Sequence, residues 1–134
     1  MKMVFADTYY FLALLNKSDK GHQRAVQFTK DYKGGMVTTG WVMTELADAM
    51  AVSPSGRTQF VQTWKGFRTK AGAQMVPCTD ALQEEGISFY SRRADKDWSL
   101  TDCISFVVMQ REGITEALTA DHHFEQAGFV ALLK

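Results

Sequence analysis

The sequence predicts an α/β domain built on a parallel sheet with helices on both faces, and three observations carry that reading. Short apolar runs alternate with longer amphipathic stretches along the chain. The strand candidates are joined by helix candidates, the connection that parallel pairing requires. Two acidic residues, Asp7 and Asp121, close apolar runs in the manner of carboxylates at the C-terminal ends of buried strands.

In chain order, Met3-Val4-Phe5-Ala6 reads as the first strand, and Asp7 leads straight into a short apolar helix over 8–15. Residues 16–21 form a polar turn. A second helix is predicted over 22–32, with Ala25, Val26 and Phe28 facing inward, and Gly34-Gly35 ends it. Met36-Val37-Thr38 is a short strand, and a helix opens at Thr39 or Gly40 and runs to about residue 52. Ser53-Pro54-Ser55-Gly56 carries the clearest turn signal in the chain. The next helix, 57–70, presents Phe60, Val61, Trp64 and Phe67 at helical spacing. A third strand follows at 73–76 and a helix at 80–92. Ser99-Leu100-Thr101-Asp102 starts a further helix that reaches about residue 111 and is ended by Glu112-Gly113. Strands at 117–120 and 129–133 complete the pattern. No internal repeat, low-complexity tract or linker interrupts it, so one domain over 1–134 is expected.

Composition narrows the function classes. The 134 residues are 46% hydrophobic and 22% charged, ordinary for a soluble globular protein and enough for a core without staples. No run approaches the roughly 18 apolar residues of a membrane span. Met1-Lys2-Met3-Val4-Phe5-Ala6-Asp7 reaches an acidic residue too early for a secretion signal. Two cysteines, Cys78 and Cys103, do not make a disulfide scaffold, so a reduced, cytoplasmic protein is expected, with both thiols as core packing. Lys and Arg number 15 against 15 Asp and Glu. Bulk charge therefore gives no argument for a nucleic-acid partner, and any such footprint has to be local.

The chemistry concentrates in four carboxylates. In a parallel sheet ligands bind beyond the C-terminal strand ends, so Asp7 and Asp121 are expected to project into one crevice. Glu45 borders the helical stripe of Val42, Leu46 and Ala49 and is expected to point toward the sheet. Asp102 fills the third helical position behind a Ser99 N-cap and shares a face with Phe106 and Met109. Each residue has a plainer explanation. Asp7 and Asp102 suit helix caps, Glu45 the polar edge of an amphipathic helix, and Asp121 a turn. Yet carboxylates are rarely buried unless paired or metal-bound. Four coincidences, spread from one end of the chain to the other, point to one shared site. A hard divalent cation, which takes oxygen ligands, suits it.

The segments Phe5-Ala6-Asp7-Thr8, Thr44-Glu45-Leu46, Asp97-Trp98-Ser99-Leu100-Thr101-Asp102-Cys103-Ile104-Ser105-Phe106 and Leu118-Thr119-Ala120-Asp121-His122-His123-Phe124 resemble the PIN-domain nucleases, above all the small VapC-type toxins of bacteria and archaea. Gly128-Phe129 is similar to their usual ending, and the resemblance spans essentially the whole chain. It implies a three-layer α/β/α PIN-like domain with a short parallel sheet. It also implies a Mg²⁺- or Mn²⁺-dependent ribonuclease that leaves a 5′-phosphate, a cognate antitoxin protein and a homodimer. Carried over by position, it makes Asp7, Glu45, Asp102 and Asp121 the catalytic acidic cluster. Thr119 matches a supporting hydroxyl two positions before the last carboxylate, and Asp97 a peripheral acidic position. In that scheme Asp7 and Asp102 bind metal directly and Asp121 directly or through water. Glu45 orients the attacking water or completes the metal shell.

RNA contacts are expected from Arg92, Arg93 and Lys96, just before the Asp102 motif. The more basic helix with Arg57, Lys65, Arg68 and Lys70 reads instead as a solvated face over core Trp64 and Phe67. His122-His123 invites a zinc or general-base reading, but it lacks a partner at zinc-site spacing and reads as loop, with substrate contact as the lesser alternative. Trp41 and Trp98 flank acidic motifs and are expected to brace them. The apolar Tyr9, Tyr10, Phe11 and Leu12 suit either internal packing or a subunit interface. Two rival functions share the fold: a nuclease of RNA processing or repair without an antitoxin, and a catalytically silent PIN fold that binds proteins. A phosphatase using Asp7 as nucleophile is disfavoured by Tyr9, which stands where a second carboxylate belongs.

Overall fold

Strands separated by one or two helices run along residues 2–134, which the computed structural model describes. The elements are β1 (Met3–Ala6), α1 (Thr8–Leu15), α2 (His22–Asp31), β2 (Gly35–Thr39), α3 (Gly40–Ala49), α4 (Pro54–Thr69), β3 (Ala73–Val76), α5 (Asp80–Arg92), α6 (Leu100–Glu112), β4 (Glu116–Leu118), α7 (His122–Gln126) and β5 (Val130–Ala131). The strands form one sheet in the order β3-β2-β1-β4-β5, and every pairing is parallel. Val4, Phe5 and Ala6 are all buried, as is the whole of β2. Successive strand residues point to opposite faces, so both faces of the sheet centre are covered, giving three layers.

From β1 the chain works outward through β2 to β3, then crosses back to place β4 and β5 on the other side. The reversal puts a topological switch point at the C-terminal ends of β1 and β4. α6 is the central helix. Every residue from 103 to 109 is buried, so the helix is enclosed on all sides rather than amphipathic. Phe106 anchors it, with ring centroids 5.1 Å from Trp98 and 4.9 Å from Phe124, both edge-on. Gly113, at φ 66, closes the helix in the left-handed conformation that glycine adopts without a Cβ penalty.

Several boundaries differ from the sequence reading, each for a local reason. Ser53-Pro54-Ser55-Gly56 is a helix start rather than a free turn. Ser53 Oγ accepts the Gly56 N–H at 3.0 Å and Pro54 takes the first helical position, so α4 begins before 57. Correspondingly α3 ends at Ala49, short of 52. Phe60, Trp64 and Phe67 pack inward from α4, whereas Val61 is 44% exposed. Gly35 belongs to β2 instead of closing the preceding helix, which stops at Asp31. β4 covers 116–118, not 117–120, because Thr119 leaves the sheet, and β5 is only Val130–Ala131, not 129–133. The His122-His123 segment is helical, as α7. Cys103 is buried, but Cys78 is exposed and packs no core. Tyr10 and Phe11 pack internally, with Phe11 5.8 Å edge-on from Phe67. Among the described residues no helix is long and apolar enough to cross a membrane.

α5 packs tightly against α6, and Gly86 permits it. A Cβ at Gly86 would lie 2.3 Å from Cγ1 of Ile104, a fully buried residue. Helix propensity alone favours Gly86→Ala by about 1 kcal/mol, but overpacking a tight contact costs about 1–3 kcal/mol. Net destabilisation is expected in urea unfolding. A stabilised variant would show that the two helices can separate freely.

Candidate active site

Asp7 stands at the end of β1 and is only 5% exposed. It occupies the N-cap position of α1, yet its side chain caps no helix N–H. Instead Asp7 Oδ2 accepts a hydrogen bond from Thr119 Oγ1 at 2.8 Å. The same hydroxyl oxygen accepts the Asp121 N–H at 3.1 Å, so Thr119 ties the two strand-end carboxylates together. Beside them Thr38 Oγ1 donates to the Ala6 carbonyl at 2.8 Å and fixes the end of β1 to β2. Burial pushes the Asp7 carboxyl up to about 7, and the charges of Asp102 and Glu45 push the same way against the Thr119 hydrogen bond.

The other carboxylates arrive on helices. Ser99 and Asp102 form a reciprocal capping box: Ser99 Oγ accepts the Asp102 N–H at 3.0 Å, and Asp102 Oδ2 accepts the Ser99 N–H at 3.3 Å. Capping therefore does not compete with a site role; it aims the carboxylate. Burial raises the Asp102 pKa, although its hydrogen bond with His123 opposes the shift. Glu45 is more exposed than the sequence suggests, because the inward stripe of α3 is Val42, Met43 and Leu46, with Ala49 exposed. Its Oε1 nevertheless accepts a hydrogen bond from the buried Thr8 hydroxyl. Asp121 caps α7, accepting the His123 N–H at 2.9 Å.

All four carboxylates line one cleft of about 350 Å³, together with Asp97, Ser99, Thr8 and His123. Sequence reasoning missed Thr8 and His123. His123 Nδ1 lies 3.1 Å from Asp102 and 3.5 Å from Asp121, and Nε2 lies 3.2 Å from Asp97. Both ring nitrogens thus face carboxylates, the arrangement of an imidazolium with two donors. Burial works against that charge, but Asp102, Asp121 and Asp97 together hold the His123 pKa above its ordinary value. The signal available in sequence was an Asp N-cap followed by a positive-φ Gly128, which brackets a short helix.

The basic residues divide. Arg93 and Lys96 line a second cleft that adjoins the acidic one, whereas Arg92 lies over Phe89 and bonds Ser88, and lines neither. Ligand atoms of Asp121, His122 and His123, one carboxylate and two imidazoles, come within 4.8 Å of one another, close enough to share a metal ion. Among the described residues, the ion pairs of the four carboxylates run to His122 and His123, and none runs to lysine or arginine.

No protein-family model matches the chain. The curated protein named 23S rRNA-specific endonuclease VapC20, from Mycobacterium tuberculosis, is 27% identical over 128 residues, 96% of each chain. The crystal structure of Mycobacterium tuberculosis VapC20, described as a Sarcin-Ricin loop cleaving toxin, superposes with TM-score 0.84 at 26% identity, covering 95% of this chain and 96% of that one. This chain has a PIN-like fold and is similar to a VapC-type toxin along nearly its whole length. FitAcB from Neisseria gonorrhoeae shares the PIN fold at TM-score 0.65 and 16% identity, covering 96% of this chain and 95% of that one. The PIN fold accounts for where the site lies, since its switch point brings Asp7 and Asp121 together from sequence positions far apart.

The Asp7 shift has a defined sign. Between about 4 and 7 the folded protein holds a proton on Asp7 that the unfolded chain has lost, so stability falls as pH rises through that window. Asp7→Asn removes the cost, with an upper bound of about 4 kcal/mol above pH 7. In chelator, Asp7→Asn is expected to raise Tm more at pH 8 than at pH 5. Equal changes at the two pH values would mean that Asp7 titrates normally.

Proposed function

We propose that this chain is a divalent-metal-dependent endoribonuclease, one PIN-like nuclease domain over 1–134, and the toxin of a toxin–antitoxin pair. The observation that carries the reading is the convergence of Asp7, Glu45, Asp102 and Asp121, from four separate elements, on one cleft at the switch point. The likeness to VapC20 along nearly the full length supports it and makes ribosomal RNA the first substrate to test. A cognate antitoxin protein and a homodimer complete the proposal.

The donor set fits a hard cation. The proposed ligands Asp7, Asp102 and Asp121 are carboxylates, and Asp7 is buried facing the charges of Asp102 and Glu45. Oxygen ligands and crowded negative charge suit Mg²⁺ or Mn²⁺. Asp7 and Asp102 would hold the ion directly and Asp121 directly or through water. A cation held by these residues would lower the pKa of water and neutralise charge developing on the phosphate.

The chain's own residues supply orientation. Thr8 donates to Glu45 Oε1, which leaves Oε2 free to accept a proton from the attacking water. Attack forms a new P–O bond and breaks the bond to the 3′ oxygen, which takes a proton from solvent, leaving a 5′-phosphate and a 3′-hydroxyl. Thr119 and Ser99 hold Asp7 and Asp102 in place, with Asp97 at the rim. Lys96 draws the RNA backbone in from the adjoining cleft, Arg93 contacts the RNA there, and Arg92 contributes from further out.

Cleavage of ribosomal RNA, and of a mixed structured-RNA pool, is expected only with Mg²⁺ or Mn²⁺. Asp7→Asn and Asp102→Asn should each lower the rate by more than about 100-fold, beyond the about 10–100-fold expected for the supporting Thr119→Val. Cutting that survives chelation, or persists in both carboxylate variants, would remove this mechanism. Independently, metal at 100 times its Kd should stabilise the protein by about 2.7 kcal/mol. An unchanged Tm at millimolar Mg²⁺ and Mn²⁺ would count against an assembled site.

A further inference from the structure

A second cleft, of about 670 Å³, opens beside the acidic one and shares Asp97 and Ser99 with it. Its lining is different in kind. Tyr90, Arg93, Lys96 and Leu100 present an aromatic ring, two cations and an aliphatic side chain, and Tyr90 is 50% exposed. The volume falls within the about 300–1,000 Å³ of small-ligand sites.

Arg93 is built as a flat platform. Its guanidinium makes two parallel 3.0 Å hydrogen bonds to Asp95, and its carbon lies 4.7 Å from the Trp98 ring centre. Trp98 is itself buried, packed at 6.0 Å and 25° on Phe89 and edge-on to Phe106. The guanidinium is thereby held rigid and partly neutralised while 38% of the side chain stays exposed. A side chain so paired is poorly suited to act as a free phosphate hook, but it offers what an unstacked base needs, a fixed planar cation. Lys96, with no ion-pair partner among the described residues, remains available for phosphate.

We propose that this cleft is a nucleobase subsite, which receives one unpaired base of the RNA against the Arg93 guanidinium and the Tyr90 ring while the neighbouring phosphate sits at the carboxylates. The inference rests on the ribonuclease reading and deepens it. A base can enter only after leaving its duplex neighbours, so the substrate presents a single-stranded or looped nucleotide at the cut. Stacking tolerates every base, so the subsite selects for an unpaired nucleotide more than for a particular letter.

The test is anisotropy binding of labelled oligoadenylate and oligouridylate hexamers and of an abasic ribose-phosphate hexamer, in Ca²⁺ to hold back cleavage. The wild-type protein should bind the base-bearing hexamers about tenfold more tightly than the abasic one. Tyr90→Ala and Arg93→Ala should each bring that ratio toward one, and Tyr90→Ala should leave abasic binding unchanged. Equal wild-type affinity for both kinds of hexamer, or a preference that survives both substitutions, would overturn the subsite. Because Tyr90 is half exposed, its variant keeps the test sound if Arg93→Ala disturbs Trp98. The binding ratio is read without turnover, so absent cleavage with the base preference intact would sink the ribonuclease reading and leave the subsite standing.

Discussion

A buried carboxylate at the end of the central strand constrains everything around it. Asp7 is almost wholly removed from water, and its hydrogen-bond partner is a neutral hydroxyl, Thr119. Two unit charges 4 Å apart repel by about 4 kcal/mol at an effective dielectric near 20, and Asp7 faces both Asp102 and Glu45. The protein can relieve that repulsion in two ways: protonate Asp7, which its pKa of about 7 allows, or take up a cation. A core selected for stability alone would have an apolar residue there. The strain at this point is the clearest physical sign of a site.

The fold makes the constraint sustainable. Asp7 and Thr119 end adjacent parallel strands, and the switch point leaves no strand between them to cover the crevice. Asp102 projects from a helix enclosed on every side, clamped by the aromatic contacts of Phe106 and closed by its own capping box. Asp7 and Asp102 therefore stand on buried elements, which is what positioning charges against one another requires. His123 completes the arrangement, its two ring nitrogens shared among three carboxylates.

Much of this was legible in the sequence because it depends on local rules. The bounds of β1, α1, β3 and α5 follow from hydrophobic periodicity and caps, and the Ser99–Asp102 box follows from spacing alone. The misreadings share a cause. Ser53-Pro54 carries turn chemistry and N-terminal helix chemistry at once, and only the continuing chain decides between them. α7 is too short to show a period. Thr8 and His123 matter through partners 37 and 21 residues away, which no local window contains. Exposed Cys78 departs from what cysteine's usual burial suggests, since it lies beyond the end of β3 where the sheet has stopped.

Net neutrality acquires a meaning once the two clefts are considered together. A polyanion approaching four carboxylates is repelled unless a cation sits among them, so on the proposed reading metal and RNA favour each other's binding by the same Coulomb term. The adjoining cleft works by another principle. Arg93 has already given part of its charge to Asp95, and the remaining attraction for a base is the stacking of one plane on another, which salt screens weakly. On the proposed reading, affinity for the backbone is conditional on the ion, whereas recognition of an unpaired base belongs to the fold. A protein with no excess positive charge can act on RNA in this way, because it does not rely on bulk charge to hold its substrate and discriminates against nucleic acid that keeps its bases stacked.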